Sequence, residues 1–240
     1  MPSTAKTTSV KIDTPLHDEH AATPPRAAPE SADPLAWVGH FESIYADAAG
    51  DEGRIPWADG RPEPLLVAWL NAEGSGLVRP GSKVTVVGCG LGDDARELAD
   101  RGFDVLAFDC SPTAVQWARR RHAAIADRFV VADLFSLPAS LLRRADLVVE
   151  ISTIQAVHPS LRAPAAGAIV SLARPRGAVL AIARARDDAD PLDTLGPPFP
   201  LSARELADLM QPLTPVSAIE DLMDDASPPV RRLRAAFRRI

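Results

Sequence analysis

The chain has 240 residues, 46% of them hydrophobic, which is enough for one α/β domain with a sizeable core and short for two. A formal net charge of -6 argues against a nucleic-acid binder, because phosphate contacts need a basic face. Two cysteines, Cys89 and Cys110, with no CxxC pair, argue against a disulfide framework or a zinc site and point to a cytoplasmic protein.

Residues 1 to about 32 are rich in Pro, Ala and Thr, lack an apolar period and read as a disordered tail. This segment has no apolar run of the secretory kind, and no stretch of about 18 apolar residues predicts a membrane span. From Asp33 the pattern changes. Leu35, Trp37, Val38, Phe41, Ile44 and Tyr45 recur at helical spacing. The Gly- and Pro-rich "DEGRIPWADGRPEP" is a loop, and "PLLVAWLNAEGSGL" is a second amphipathic helix.

Beyond Pro80-Gly81 strands and helices alternate. Strands are expected at Val84–Val87, Val105–Phe108, Phe129–Ala132, Leu147–Ile151 and Ala178–Ala183. Helices are expected at Asp93–Arg101, Ser111–Ala124 and Pro159–Ala173, the second capped by Ser111 with Pro112 in its first turn. Ser202 and Glu205 form a capping box that starts another helix, and Val216–Glu220 and Val230–Phe237 are the last strand candidates. Short apolar strands between helices predict a mostly parallel, doubly wound sheet covered on both faces. The arginines of the C-terminal "RRLRAAFRR" are expected to form a solvated edge.

In such a sheet, ligands sit beyond the carboxyl ends of the strands. Gly88, Gly90 and Gly92 follow the first strand and open a helix, where they permit a tight turn and a close backbone approach. Asp109 ends the next strand, placed to meet two ribose hydroxyls. Asp133 follows the third strand, placed to accept from an exocyclic adenine amine. The position of the third glycine in GxGxxG holds Asp93, a poor neighbour for a pyrophosphate. The pattern therefore favours adenosine joined to an amino acid, S-adenosylmethionine, over a dinucleotide.

These residues resemble the class I S-adenosylmethionine-dependent methyltransferases, and among them the thiopurine S-methyltransferase-like group that also holds thiol and halide methyltransferases. The resemblance runs from about Trp37 to Ile240. It rests on "IPWADGRPEPLL", "VVGCGLGDDARELADRGFDVLAFDCSPTAV", "VADLF", "DLVVEISTIQAVHPSLR" and "GPPFPLS". It implies a seven-stranded sheet of order 3-2-1-4-5-7-6 with the last strand antiparallel. It also implies N-terminal helices that close over the cofactor together with a loop carrying Trp57. Gly88, Gly90, Asp109 and Asp133 would bind S-adenosylmethionine, with Cys89, Cys110 and Leu134 in the same loops. Many class I enzymes carry an acid two positions before the first glycine; here that position is Val86.

Methyl transfer from a sulfonium mainly needs a positioned nucleophile and excluded water. A thiolate needs little help from a base. The absence of an evident catalytic dyad thus fits a soft nucleophile, most simply a thiol, on a small molecule. Glu150 ends the fourth strand and is a candidate to polarise a substrate proton or to bind the sulfonium side of the cofactor. Gln155 and His158 follow it; Gln155 is a catalytic candidate alongside Glu150, and His158 is a candidate base or an ordinary loop histidine. Arg184 and Arg186 are placed to meet an acidic substrate, and Phe199 to wall its pocket behind Pro197 and Pro198. An aromatic face at Trp57 favours a sulfonium, while Trp37 reads as core. No carboxylate cluster for a metal can be assembled, and a monomer is expected. The competing readings are oxygen or nitrogen acceptors, a nicotinamide-dependent oxidoreductase and a non-catalytic sensor of S-adenosylmethionine.

Overall fold

A computed structural model describes residues 27–72, 74–191 and 197–240. Most of the segment read as a disordered tail lies outside these residues. Helix α1 (Pro34–Ala48) opens with Asp33 as its cap, accepting from the Leu35 amide, and with proline in its first turn. Helix α2 (Pro64–Ala72) is shorter than its apolar pattern predicts, because Gly74 and Gly76 convert the expected last turn into a short 3₁₀ segment.

The alternating part follows in order: β1 (Lys83–Val87), α3 (Asp93–Asp100), β2 (Asp104–Asp109), α4 (Pro112–Arg121), β3 (Phe129–Val131) and β4 (Ala145–Ile151), then α5 (Arg162–Leu172) and β5 (Ala173–Arg184). Ser111 caps α4 by accepting from the Ala114 amide. The predicted helix at Pro159 begins as a 3₁₀ turn and becomes α-helical at Arg162. Helix α6 (Ala203–Leu209) starts at Ser202, which accepts from the Glu205 amide as the capping box requires. Strands β6 (Thr214–Pro215), β7 (Glu220–Met223) and β8 (Arg231–Arg238) complete the sheet.

The sheet order is β3-β2-β1-β4-β5-β8-β6, with β7 also paired to β8. Strands β1 to β5 run parallel, and β8 is antiparallel to β5. This is the expected mostly parallel, doubly wound arrangement, with one strand position divided between β6 and β7. The strand expected at Val216–Glu220 is corrected accordingly. Pro215 has no N–H to extend the ladder, so the chain leaves the sheet after Val216 donates to the Ala236 carbonyl and rejoins it at Glu220.

The expected solvated arginine edge is also corrected. β8 lies inside the sheet, and its arginines meet acids on and after β7: Arg231 pairs with Asp221, Arg232 with Asp224 and Arg234 with Glu220. Arg234 also donates to the Leu65 carbonyl at the start of α2. The acidic balance of the chain thus neutralises its basic C-terminus within the fold.

Alternation along the strands divides the core into two layers. Val86, Leu147, Val149 and Leu180 pack with α2 and α3 on one face. Val87, Val148, Trp37, Ile169 and Phe199 pack on the other, with α1 and α5. Register then brings the strand ends together: Val87 pairs with both Phe108 and Glu150, Asp109 with Val131, and Ile151 with Ile182. The loops after β1, β2, β3, β4 and β5 therefore open at one edge.

Candidate active site

Gly88 leaves β1 with φ +58°, and a Cβ there would lie 2.6 Å from the Thr153 hydroxyl. A side chain is excluded both by conformation and by contact with the turn after β4. Gly92 caps α3 at φ +89°, where a Cβ would strike the Phe129 ring at 2.7 Å. The first two residues of α3 are Asp93 and Asp94, so its N-terminus presents carboxylates where a pyrophosphate would need bare amides. Asp93 is held by Arg121, which also pairs with Glu52 in the loop between α1 and α2.

Asp109 is buried and spans two loops. One carboxylate oxygen accepts from the Gly90 amide at 2.9 Å and the other from the Ser111 amide at 2.9 Å. Burial raises this carboxyl, and hydrogen bonds from the Ser111 and Gly90 amides and from Cys110 oppose the shift. Asp133 accepts from the Phe135 amide and starts the 3₁₀ turn that contains buried Leu134. Cys89 and Cys110 are free thiols at these loops; burial and the neighbouring Asp109 carboxyl push both well up, so neither is primed as a thiolate for redox exchange.

Glu150 is 0% exposed. Its Oε1 accepts from the Thr153 and Ile154 amides at 2.7 and 3.0 Å, while its Oε2 is buried without a partner. Burial pushes this carboxyl up to about 7. Gln155 is buried; its side-chain oxygen accepts from the Arg184 amide, and its carbonyl accepts from Phe199. His158 accepts from the Ser160 amide through Nδ1 and sets its ring edge-on to Phe199. Arg186 is bound to Glu205 and to the carbonyls of Asp187 and Asp190. Arg184, at the end of β5, enters no ion pair among the described residues.

The N-terminal helices and the loop between them carry contacts that no local pattern announces. Glu42 of α1 accepts from the Ser111 hydroxyl and from both the hydroxyl and the amide of Thr113, fastening α1 to the start of α4. Trp57, 46% exposed, donates its indole N–H to the Tyr45 hydroxyl at 2.8 Å and packs edge-on against Phe41. The Tyr45 hydroxyl would lie 3.0 Å from a Cβ on Gly90. Trp37 is core, as expected, with Phe199 against it. Tyr45→Phe is expected to cost about 0.5–1 kcal/mol, since water can replace the lost acceptor at half-exposed Trp57. Hydrogen exchange should show the Ile55–Arg61 amides opening faster; unchanged exchange would deny the bond a role in seating the lid.

The loop before α2 is also tied to α3, where Asp94 accepts from the Glu63 amide at 2.7 Å. Burial, with Glu63, Asp93 and Glu97 nearby, pushes the Asp94 carboxyl up to about 7. The folded state therefore holds an extra proton between the unfolded value near 3.8 and about 7, so this group lowers stability as pH rises through that window. Asp94→Asn should raise the urea midpoint at pH 8 and leave it near wild type at pH 5. Equal losses at both pH values would contradict a neutral native Asp94.

Gly88, Asp109 and Glu150 stand at the carboxyl ends of β1, β2 and β4, at the edge where the loops open, and the two carboxyls are buried. The family model for thiopurine S-methyltransferase (TPMT) matches residues 47–240. The chain belongs to this family. It is an S-adenosylmethionine-dependent methyltransferase. The methyltransferase is 26% identical over 167 residues to probable thiol methyltransferase 2 of Arabidopsis thaliana, covering 68% of this chain and 70% of that protein. It is 35% identical over 81 residues to the 2-heptyl-1-hydroxyquinolin-4(1H)-one methyltransferase of Mycobacteroides abscessus, about a third of each chain. Its fold matches 1,6-didemethyltoxoflavin-N1-methyltransferase of Burkholderia thailandensis, solved with S-adenosylhomocysteine, with a TM-score of 0.68, 23% identity and coverage of 90% and 93%. A structure solved for the conversion of a disulfide bond into a thioacetal group in echinomycin biosynthesis matches with a TM-score of 0.66, 26% identity and coverage of 83% and 90%. No helix among the described residues is long and apolar enough to cross a membrane, and no group of three potential metal ligands occurs among them.

Proposed function

We propose that this methyltransferase transfers the methyl group to the sulfur of a small thiol. The observation that carries this reading is the state of the titratable groups at the strand ends. Asp109, Asp133, Glu150 and His158 all accept from backbone amides. They build loops; His158 has a side-chain partner, the Ser160 hydroxyl at 2.7 Å, but this contact lies within its own turn. A thiolate supplies its own nucleophile. The relative named as a thiol methyltransferase and the neighbour that acts on a disulfide support a sulfur acceptor.

When bound, S-adenosylmethionine supplies a methyl group already activated on a sulfonium. In this reading Asp109 holds the ribose hydroxyls and Asp133 the adenine amine. Gly88 and Gly90 allow close approach, and Trp57 with α1 excludes water over the methyl. Arg184, which enters no ion pair among the described residues, attracts an acidic group on the acceptor, and Phe199 bounds its apolar side. Gln155 positions both of these through its two bonds. The relative that acts on a hydroxyquinolone favours a second reading, a heteroaromatic hydroxyl acceptor.

The test is release of S-adenosylhomocysteine with a panel of small thiols and hydroxylated heteroaromatics. Turnover is expected on thiols, rising with pH until the acceptor is ionised. Turnover confined to hydroxylated heteroaromatics would overturn the sulfur reading.

A further inference from the structure

Glu150 stands one residue before the end of β4, paired with Val87 of β1 and Ala181 of β5. Its Oε1 is saturated by the Thr153 and Ile154 amides. The same turn reaches β1, because the Thr153 hydroxyl donates to the Val87 carbonyl at 3.3 Å and packs against Gly88. Carboxyl, turn and first glycine are thus one contiguous unit. Its Oε2 is buried and meets no partner. A buried carboxyl half satisfied in this way is an incomplete site, since buried polar atoms are paired in nearly all folded proteins. The position two residues before Gly88, acidic in many related enzymes, is Val86, which packs into the opposite layer.

We propose that Glu150 supplies from β4 the negative charge that meets the ammonium of the cofactor's amino-acid end, and releases its proton to solvent when that end docks. The O–H bond breaks, the proton passes to the buffer, and the carboxylate pairs with the ammonium; no electrons change hands. The inference rests on the cofactor assignment above.

The surroundings leave Glu150 free to respond in this way. The titratable groups on its own strand and the elements around it are His40, Glu42, Tyr45 and Asp47 of α1, Lys83 of β1 and Cys89 after it, Asp104 and Asp109 of β2 and Cys110 after it, Asp146 of β4, His158 in the following loop, Arg162 of α5, and Arg174, Arg176 and Arg184 of β5. None is among the causes of the Glu150 shift, which are burial and the two backbone bonds. With a carboxyl at about 7, both protonation states are populated near neutrality.

The experiment is calorimetric titration of the full chain with S-adenosylhomocysteine at pH 6 and pH 8, each in two buffers of different ionisation enthalpy. Release of about 0.9 proton is expected at pH 6 and about 0.1 at pH 8, with Kd about tenfold tighter at pH 8. Glu150→Gln keeps an acceptor for the two amides and removes the charge. It should abolish the proton release and bind at least about tenfold more weakly than wild type at pH 8. Methylthioadenosine, which lacks the amino-acid end, should bind without proton release.

Wild-type binding without proton release at pH 6 would overturn the proposal and leave the cofactor assignment intact. So would proton release that persists in Glu150→Gln, which would assign it to Asp94 or Asp109, or release with methylthioadenosine. No binding of S-adenosylhomocysteine at either pH would instead remove the cofactor assignment itself. If the variant does not fold, the wild-type proton count at the two pH values still decides.

Discussion

Arg162→Met is expected to destabilise the protein by about 3 kcal/mol, lowering the melting temperature by roughly 6–12 °C. Arg162 is 2% exposed, in the first turn of α5. Its guanidinium pairs with Glu205 of α6 and donates to the Phe199 and Pro200 carbonyls. Methionine keeps the apolar stem and deletes every donor. The Phe199 carbonyl is then left buried without its guanidinium donor, and Glu205 retains only Arg186. The cost is set by what is left unpaired more than by the pair's own net strength, because charging a buried site is expensive from the start.

The functional consequence separates two regions. Phe199 is seated between Trp37 and His158, and its amide donates to Gln155. Loosening its carbonyl should raise KM for the acceptor several-fold while Kd for S-adenosylhomocysteine changes less than twofold. Arg162→Lys should recover only part of the stability, since one ammonium cannot reproduce a planar fork spread over α6 and the Phe199 loop. Thermal unfolding with acceptor kinetics checks both points. A melting temperature within about 2 °C of wild type would show that the buried guanidinium does not organise this corner.

Asp109→Ala is expected to weaken S-adenosylhomocysteine binding at least about tenfold, about 1.4 kcal/mol, and to cost about 2–4 kcal/mol of stability. The stability term follows from the two buried amides, of Gly90 and Ser111, that lose their acceptor together. The binding term has two sources: loss of the carboxylate proposed to hold the ribose, and loss of the strut that holds the glycine turn against the β2 loop. Asp109→Asn distinguishes them. An asparagine has one oxygen, so one amide stays satisfied while the side-chain NH₂ opposes the other. It should retain part of the stability and lose most of the affinity. Calorimetry and urea unfolding on both variants give the comparison, and unchanged affinity in Asp109→Ala would remove Asp109 from the cofactor site.

Much of the frame was legible along the chain because its signals are local. The short, largely apolar and β-branched stretches at Val84–Val87 and Leu147–Ile151 read as buried strands. Ser111-Pro112 and Ser202 with Glu205 carry their helix starts in adjacent residues. The glycine turn was legible for the same reason: only glycine suits Gly88, whose φ is positive and whose Cα faces Thr153 closely. The misreadings fall where local pattern and long-range pairing differ. Val216–Glu220 has strand composition, yet Pro215 breaks the ladder just before it. The C-terminal arginines read as solvent-facing until β7 brings Glu220 and Asp221, with Asp224 just beyond it, alongside them.

What the sequence determined by itself was the class of fold, the edge at which a ligand must sit and the nature of that ligand as a nucleoside without phosphates. Strand period, helix caps and the Gly-Cys-Gly turn are written in neighbouring residues, and conformational preference acts over that range. What only the tertiary structure decided was which side chains remain available at the edge. Asp109 is shared between two loops, Glu42 is spent on α4, Arg186 on Glu205 and His158 on its own turn, whereas Glu150 keeps one unmatched oxygen. Burial sets that availability together with hydrogen bonds that range from two positions apart, at His158, to 69 apart, between Glu42 and Ser111, and no short window of sequence holds all of them.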